Sequence, residues 1–185
     1  MIELKDLCLD DGDRLYHWRR QPEVDRWMSP SPPADIETHR AWLEAFLADP
    51  NRVGWIIAEG GRPCGFLMLK GVTDLQQRAE WGWYIGEAEA RGRGAGRAAQ
   101  ALGLERAFYD YALQKVWSEV LADNDAALKA QSAAGFRREG YLRRHVFKDG
   151  RFRDVALLAI LAEEWKERRG PVLRNLQASG LIGKG

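Results

Sequence analysis

Cysteine, long apolar runs and an excess of charge of either sign are all scarce in this chain. Its 185 residues include only two cysteines, Cys8 and Cys64, which are too few and too widely spaced for a disulfide framework or a metal-binding motif. The longest apolar run, residues 155–162, falls far short of the roughly 20 residues that a membrane-spanning helix needs. The formal net charge of +1 gives no overall field that would attract nucleic acid or an anionic membrane.

Histidine is also rare, and its placement predicts no metal centre. His17, His39 and His145 lie far apart, without the spacing of metal ligands. The first residues lack the basic and then apolar segments of a secretory leader, which favours a cytoplasmic protein. With 45% hydrophobic and 30% charged residues, the composition is typical of a folded globular protein. We therefore expect one domain over residues 1–170 and a loosely structured tail over residues 171–185.

The spacing of apolar residues predicts strands and helices in alternation, and hence an α/β fold. Strands are predicted from period-two alternation and flanking turn signals, and helices from apolar residues three and four apart. The predicted strands are residues 2–9, 53–59, 63–72, 79–85, 115–122, 137–147 and 152–161. The main predicted helices are residues 35–48, 94–114 and 125–134, with Asn124 as the N-cap of the last one and Gly135 as its C-terminal glycine.

Glycine is concentrated where a predicted strand gives way to a predicted helix, in the segment Arg91-Gly92-Arg93-Gly94-Ala95-Gly96-Arg97. The first turn of a helix has unpaired N–H groups, glycines let the backbone curl around an anion, and arginines add forked donors. This combination predicts a cradle for a diphosphate. The alternative is a solvated loop whose glycines only make a turn. Neither nucleotide-binding motif fits this segment. The chain lacks the GK[ST] ending of the Walker pattern, and the dinucleotide pattern would need glycine or alanine at the position of Arg97.

The spacing Arg91-x-x-Gly94-x-Gly96 resembles the R/Q-x-x-G-x-G/A motif of the GCN5-related N-acetyltransferases, the GNAT family, in which this loop binds the pyrophosphate of acetyl-coenzyme A. A second family segment is matched from Asn124 to Phe136. The resemblance implies a mixed, mostly antiparallel sheet of about seven strands, splayed between the fourth and fifth strands and flanked by helices. It also implies acetyl-coenzyme A as co-substrate, without a metal. The coenzyme-binding residues that it implies are Trp83, Tyr84, Ile85, Arg91, Gly92, Arg93, Gly94, Ala95, Gly96, Arg97, Asn124, Ala127 and Lys129.

The resemblance further implies where the chemistry takes place. The thioester would lie in the gap between the fourth and fifth strands, where backbone N–H groups near Tyr84 and Ile85 would form an oxyanion hole. Glu80 and Glu119 are candidate bases, because each is a lone carboxylate in an otherwise apolar strand. For both glutamates, an ion pair with one of the many arginines is the alternative.

The general acid is less clear from the residues. Where family members commonly carry a tyrosine that protonates the departing thiolate, this chain has Gln131. The thiolate therefore leaves unassisted, or Ser132, Tyr141 or a water supplies the proton. The absence of the tyrosine also leaves open a protein that binds acyl-coenzyme A as a sensor without turning it over.

The acceptor is predicted from the subfamily that the sequence resembles. "WRRQPEVDRWM" and "AEWGWYIGE" look most like the amino-sugar N-acetyltransferases of pseudaminic acid biosynthesis, which act on a UDP-linked 4-amino-4,6-dideoxy sugar used to glycosylate flagellin. The predicted acceptor residues are Arg19, Arg20, Trp27 and Met28, since arginine recognises phosphate and aromatic rings stack on bases. An ordinary amphipathic helix face is the alternative for these four residues.

Other acceptors and partners stay open at this point. A ribosomal-protein N-terminus or a polyamine is the alternative acceptor, and an acidic cleft mouth would favour the polyamine. Arg143, Arg144 and Lys148 form a second basic cluster, or are simply solvated charges. We expect a small-molecule amine as partner, with no nucleic acid and no membrane, and a homodimer is left open.

Overall fold

A seven-stranded mixed sheet forms the centre of the computed structural model, which describes residues 1–183. The strands are β1 Ile2–Asp6, β2 Arg52–Glu59, β3 Arg62–Lys70, β4 Arg78–Ile85, β5 Lys115–Leu121, β6 Arg137–Lys148 and β7 Arg151–Leu161. They are hydrogen-bonded in the order β1-β2-β3-β4-β5-β7-β6. All neighbouring pairs are antiparallel except β4 and β5, which run parallel. The α/β class and the mostly antiparallel sheet are confirmed.

The sheet forks between β4 and β5. The two strands pair only at Arg78–Lys115, Ala79–Val116 and Glu80–Trp117. Beyond this point, residues 81–85 of β4 and 118–121 of β5 continue without pairing to each other. The predicted splay between the fourth and fifth strands is therefore confirmed, and it leaves a gap with free backbone edges on both sides.

In the described part of the chain, six α-helices flank the sheet: α1 Gly12–Arg19, α2 Pro22–Asp25, α3 Ile36–Ala48, α4 Ala95–Glu105, α5 Asp125–Ala134 and α6 Ala162–Ala178. Because strand side chains alternate between faces, the sheet carries one core on each side. The larger core packs α4, α5 and α6 on Trp81, Val116 and Ile160. The smaller core packs α1 and α3 on Phe66 and Tyr84.

The predicted helix ends agree with the structure where a capping residue marks them. The side chain of Asp35 accepts a hydrogen bond from Thr38 N at 2.7 Å, and that of Asn124 accepts one from Ala127 N at 3.1 Å. Gly135 ends α5 with φ of 111°, a left-handed conformation that glycine adopts without strain.

Two predicted elements differ from the structure. The helix expected over residues 94–114 ends earlier, because α4 widens into a π-helical turn at Arg106–Asp110 that closes with Tyr111 N donating to Arg106 O at 3.1 Å. The wider turn buries Leu113 and lets Gln114 N reach Gln77 O, 2.7 Å away, next to the start of β5. Periodicity continues through such a turn, so the pattern alone did not reveal it.

The expected loose tail also differs. Helix α6 continues through Pro171 to Ala178, and Leu176 is only 1% exposed. After the helix, Leu181 O accepts a hydrogen bond from Ile2 N at 2.6 Å, and the side chain of Ile182 is buried. Few apolar residues among many polar ones make a weak pattern, yet burying these few is enough to hold the segment down. Residues 184–185 of the predicted tail lie outside the described residues. Within residues 1–183, no helix is both long and apolar enough to cross a bilayer.

Candidate active site

The glycine–arginine loop leads directly into α4, as predicted. Gly92 and Gly94 have φ of 73° and 95°, and Gly94 is the N-cap of α4. The first main-chain bond of the helix runs from Ala98 N to Gly94 O at 3.0 Å, and no side chain caps this end. The three preceding N–H groups, at residues 95–97, therefore face outward from the positive end of the helix dipole.

The side chains around this loop fit a diphosphate. Arg93 and Arg97 are exposed, and no acidic residue lies in the first turn of α4. A Cβ atom on Gly96 would lie 2.8 Å from Cζ3 of Trp83, so this position needs a glycine for α4 to approach β4. The donor set of amides and exposed guanidiniums is the one that phosphate oxygens require.

Arg91 has a different environment from the other two arginines of the loop. Its Nε donates to Ile85 O at 3.0 Å, and its Nη2 donates to Gly86 O at 2.8 Å and to Gln21 Oε1 at 2.7 Å. These acceptors lie at the end of β4 and at the start of α2. The structure therefore places three of the N–H donors of Arg91 on protein oxygens.

The backbone of β4 points specific N–H groups into the gap. Gly86 N donates to Cys64 O of β3 at 2.8 Å, and a Cβ on Gly65 would lie only 2.5 Å from Tyr84 O, so residues 84 and 86 direct their polar groups towards β3. Because these directions alternate along an antiparallel pair, the N–H groups of Trp83 and Ile85 face the open edge. Of the predicted oxyanion pair, the alternation favours Ile85 and excludes Tyr84.

Tyr84 instead contributes to the smaller core. Its ring packs edge-to-face on Trp18, with centroids 6.4 Å apart, and lies 5.8 Å from the ring of Phe66. Burial raises the pKa of its hydroxyl well above the usual value of 10, and the nearby Arg19 guanidinium only partly offsets this. Tyr84 therefore stays neutral and structural.

Both candidate bases line one cavity at the fork. The cavity has a volume of about 570 Å³ and is lined by Glu80 of β4 and by Trp117 and Glu119 of β5. The side chains of Glu80 and Glu119 are 33% and 37% exposed, so both carboxylates are in contact with solvent. Trp117 was not predicted as a site residue, although its position two residues before Glu119 puts both on the same face of β5.

The two carboxylates differ in their ion pairs. Glu80 Oε2 lies 3.9 Å from Lys70 Nζ, whereas the ion-pair partner of Glu119 within residues 1–183 is His145, whose Nε2 is 3.8 Å away. A histidine is a weaker and pH-dependent counter-charge compared with a lysine. Among residues 1–183, Glu119 is therefore the one of these two carboxylates without a lysine or arginine at ion-pair distance.

The predicted proton donors do not join these carboxylates. Gln131 is buried and accepts a hydrogen bond from Ser118 Oγ at 2.6 Å, which makes it part of the packing between α5 and β5. Ser132 is exposed and lines a different cavity, of about 520 Å³, together with Lys129. Tyr141 donates to Asp154 Oδ2 at 2.7 Å, and this bond raises the pKa of its hydroxyl.

The four predicted acceptor residues are separated by the structure. Arg20 donates to the carbonyls of Pro33 and Ala34 and packs over the ring of Tyr16, so its guanidinium is engaged outside the cavity. Met28 packs against the smaller core. The indole of Trp27 lies between two guanidiniums, those of Arg26 at 4.7 Å and Arg153 at 5.6 Å.

Arg19 is the predicted acceptor residue that lies deepest. Its Nη2 donates to Pro30 O at 2.7 Å, while its Nε is buried and has no hydrogen-bond partner among residues 1–183. Burial lowers the pKa of this guanidinium, against the opposing effects of Tyr84 and Asp25. The side chain of Arg19 thus occupies the space between α1 and β4.

The residues of the second predicted basic cluster have different environments: one is buried and two face the solvent. The side chain of Lys148 is 3% exposed and donates to Asp25 Oδ1 at 3.1 Å and Ser31 Oγ at 2.7 Å. Arg143 and Arg144 stay exposed. Lys148 therefore ties the segment after α2 to the β6–β7 hairpin, across the fork, and this link has no local sequence signal because its partners are 123 and 117 residues away.

Metal chemistry finds no ligand set in the part of the chain that the structure describes. Within residues 1–183, no three His, Cys, Asp or Glu side chains come together in a group that could hold a metal ion.

Comparison with known proteins agrees with this geometry. A family model described as acetyltransferase (GNAT) domain matches residues 2–137. The protein p20 of Bacillus licheniformis, named as an uncharacterized N-acetyltransferase, is 26% identical over 172 residues, which cover 89% of this chain and 94% of that protein. YdaF of Bacillus subtilis (strain 168), named as a ribosomal N-acetyltransferase, is 24% identical over 164 residues, which cover 84% of this chain and 88% of that protein.

A solved structure shares the fold over nearly the whole chain. The spermidine N-acetyltransferase of Vibrio cholerae in complex with CoA and spermine superposes with a TM-score of 0.83 at 20% identity, covering 89% of this chain and 98% of that one. At this level of identity the likeness concerns the fold alone.

Proposed function

We propose an acceptor class and a set of residue roles for this enzyme. The premise is that the chain belongs to the GNAT acetyltransferase family and is an N-acetyltransferase that uses acetyl-coenzyme A. The proposed acceptor is a small cationic amine of the polyamine class. It enters the cavity at the fork with its ammonium group towards Glu119. The proposal rests on one observation, which is the convergence of Glu80, Trp117 and Glu119 on that cavity.

The start of α4 is the proposed site of the coenzyme diphosphate. The outward N–H groups of residues 95–97 and the exposed guanidiniums of Arg93 and Arg97 supply its donors. When bound, acetyl-coenzyme A supplies an acetyl thioester, whose place is the gap between β4 and β5. The Ile85 N–H on the open edge of β4 then stabilises negative charge that develops on an oxygen in the gap.

Glu119 is the proposed general base. An ammonium group must lose a proton before its nitrogen can attack, and a carboxylate within reach, directly or through one water, accepts it. The neutral nitrogen then bonds to the acetyl carbon, the carbon–sulfur bond breaks, the sulfur leaves as a thiolate, and the nitrogen gives its second proton to water. Gln131 accepts its hydrogen bond from Ser118, so the thiolate leaves without a side-chain acid from α5. The ordinary thiol pKa near 8.5 permits this departure.

The charge of the cavity favours a cationic acceptor. Its lining includes the four carboxylates of Asp74, Glu80, Glu119 and Glu139 and the three cations of Lys70, Arg78 and Lys115. Lys70 pairs with Glu80, Arg78 with Asp74 and Lys115 with Glu139. The carboxylate of Glu119 is therefore the one lining carboxylate that these three cations do not neutralise. An ammonium group over the indole of Trp117 would gain both cation–π attraction and this charge. The solved spermidine acetyltransferase with spermine supports the same acceptor class.

The UDP-linked amino sugar of the pseudaminic acid pathway stays a prediction from the sequence. Its diphosphate and base would need the guanidinium of Arg20 and a face of Trp27, and both are engaged by neighbouring groups of the protein. A ribosomal-protein N-terminus presents the same ammonium group as a polyamine and differs from it in length and neighbouring charge. Both acceptors therefore enter the test as separate arms.

The test measures thiol release from acetyl-coenzyme A with spermidine, spermine, peptides with free N-termini and UDP-linked amino sugars. We expect the polyamines to give the highest kcat/KM, and a clear preference for the sugar nucleotides or the peptides would overturn the acceptor class. Glu119→Gln should lower kcat by about 100-fold or more with unchanged coenzyme affinity, as expected when a general base is lost. Glu80→Gln is the matched change in the same cavity and should mainly raise the KM of the amine.

A further inference from the structure

The guanidinium of Arg91 has most of its hydrogen-bonding capacity committed inside the protein. An arginine has five N–H donors, and three of those of Arg91 point to Ile85 O, Gly86 O and Gln21 Oε1. The edge formed by Nε and Nη2 is one that would otherwise grip two oxygens of an anion. Arg91 is therefore unlike the exposed Arg93 of the same loop, whose Nη1 donates to Glu89 O at the long distance of 3.5 Å.

The carbonyls that Arg91 holds bracket the end of β4. Ile85 is the residue whose N–H faces the open edge of the gap, and Gly86 is the first residue after the strand. Fixing both carbonyls fixes the orientation of the peptide planes on either side of Gly86. Without such contacts, a glycine at this place would leave the strand end free to rotate.

The same strand end is braced from the acceptor side of the sheet. A Cβ on Gly86 would lie 2.3 Å from the indole of Trp18, so this ring, which α1 carries, packs directly on the backbone of Gly86. Trp18 Nε1 also donates to Glu87 Oε1 at 2.8 Å. Together with the bond from Arg91 to Gln21 at the start of α2, these contacts connect the acceptor-side helices to the end of β4.

We propose that Arg91 is a positioning residue for acyl transfer rather than a ligand of the coenzyme diphosphate. It holds the two peptide planes that follow Ile85 and Gly86, which anchors the strand end next to the Ile85 N–H, and it links this strand end to Gln21. The inference rests on the proposed place of the thioester between β4 and β5. A misplacement of about 1 Å at such a site can cost about 100-fold in rate, so a positioning role is large enough to measure.

Kinetics with two donors separate this role from phosphate binding. Arg91→Ala and the conservative Arg91→Lys should lower kcat by about 10- to 100-fold and change the Kd of coenzyme A, measured calorimetrically, by less than about threefold. Arg93→Ala, the comparison in the same loop, should raise that Kd and leave kcat less affected. With S-acetyl-pantetheine, which lacks the diphosphate, the loss in kcat/KM of the Arg91 variants should persist and that of Arg93→Ala should disappear.

The opposite pattern would overturn the proposal. If Arg91→Ala weakens coenzyme binding with kcat retained, or loses its defect with S-acetyl-pantetheine, Arg91 is a phosphate ligand. The kinetic comparison uses whichever amine the wild-type enzyme acetylates, so a wrong acceptor class does not affect it. Hydrogen exchange at residues 84–87 needs no acceptor at all. It should accelerate in Arg91→Lys and not in Arg93→Ala, and equal exchange in both would also reject the positioning role.

Discussion

The substitution Gly94→Ala tests how the C-terminal segment packs onto the glycine–arginine loop. Gly94 has φ of 95°, and a Cβ there would lie 2.8 Å from Cδ1 of Leu181. Gly92 is its matched control, with φ of 73° and nothing within 4 Å of an added Cβ. A left-handed conformation costs an L-residue about 1–2 kcal/mol at either position. The overlap with Leu181 adds about 1 kcal/mol at Gly94 alone, the low end for overpacking, because the end of a leucine side chain can shift.

Urea denaturation of six proteins measures these free energies of unfolding: the wild type, Gly92→Ala and Gly94→Ala, each with and without Leu181→Ala. We expect Gly92→Ala to cost about 1–2 kcal/mol and Gly94→Ala about 2–3 kcal/mol. In a Leu181→Ala background the extra cost of Gly94→Ala should vanish, because the atom that it overlaps has been removed. Equal costs at the two glycines in the wild-type background, or an extra cost that survives Leu181→Ala, would refute this packing of the tail.

Two further predictions concern buried side chains. Leu176→Ala should lower the free energy of unfolding by about 2–5 kcal/mol in urea titrations, since Leu176 is 1% exposed, and a cost below about 0.5 kcal/mol would contradict a packed α6. Burial lowers the pKa of His39 below its ordinary value of 6.5, with a further lowering from Arg19, so the unfolded chain binds a proton that the folded chain resists. Stability should therefore fall as the pH drops through about 6.5, and His39→Gln should flatten this part of the curve relative to wild type; parallel curves would reject the assignment.

Much of the fold could be read from local pattern. Asp35 and Asn124 mark helix starts because their side chains satisfy N–H groups three residues further on, which is a local interaction. The glycine–arginine loop was recognisable because a left-handed backbone at Gly92 and Gly94 and the start of a helix are also local features. The fork between β4 and β5 was expected from the family resemblance, since a parallel pairing between distant strands has no periodic signal.

The partners of the site residues could not be read in the same way. Arg91 and Gln21 are 70 residues apart, and Lys148 and Asp25 are 123 residues apart. The nine arginines and lysines predicted as ligand contacts or as a solvated cluster therefore looked equivalent in the sequence, yet differ in the structure according to which acceptors surround them. The exposed positions of Arg93 and Arg97 were equally invisible beforehand.

The amino-acid sequence by itself determined the order of strands and helices, the caps and the flexible backbone of the loop, because each depends on side chains within a few positions of one another. Tertiary structure alone decided which donors remain available to a ligand and which carboxylates share a cavity. Arg91 is tied to the end of β4, Glu80 and Glu119 meet at the fork, and the tail is held down by Leu176. These outcomes depend on contacts between distant segments, whose geometry exists only once the sheet has formed.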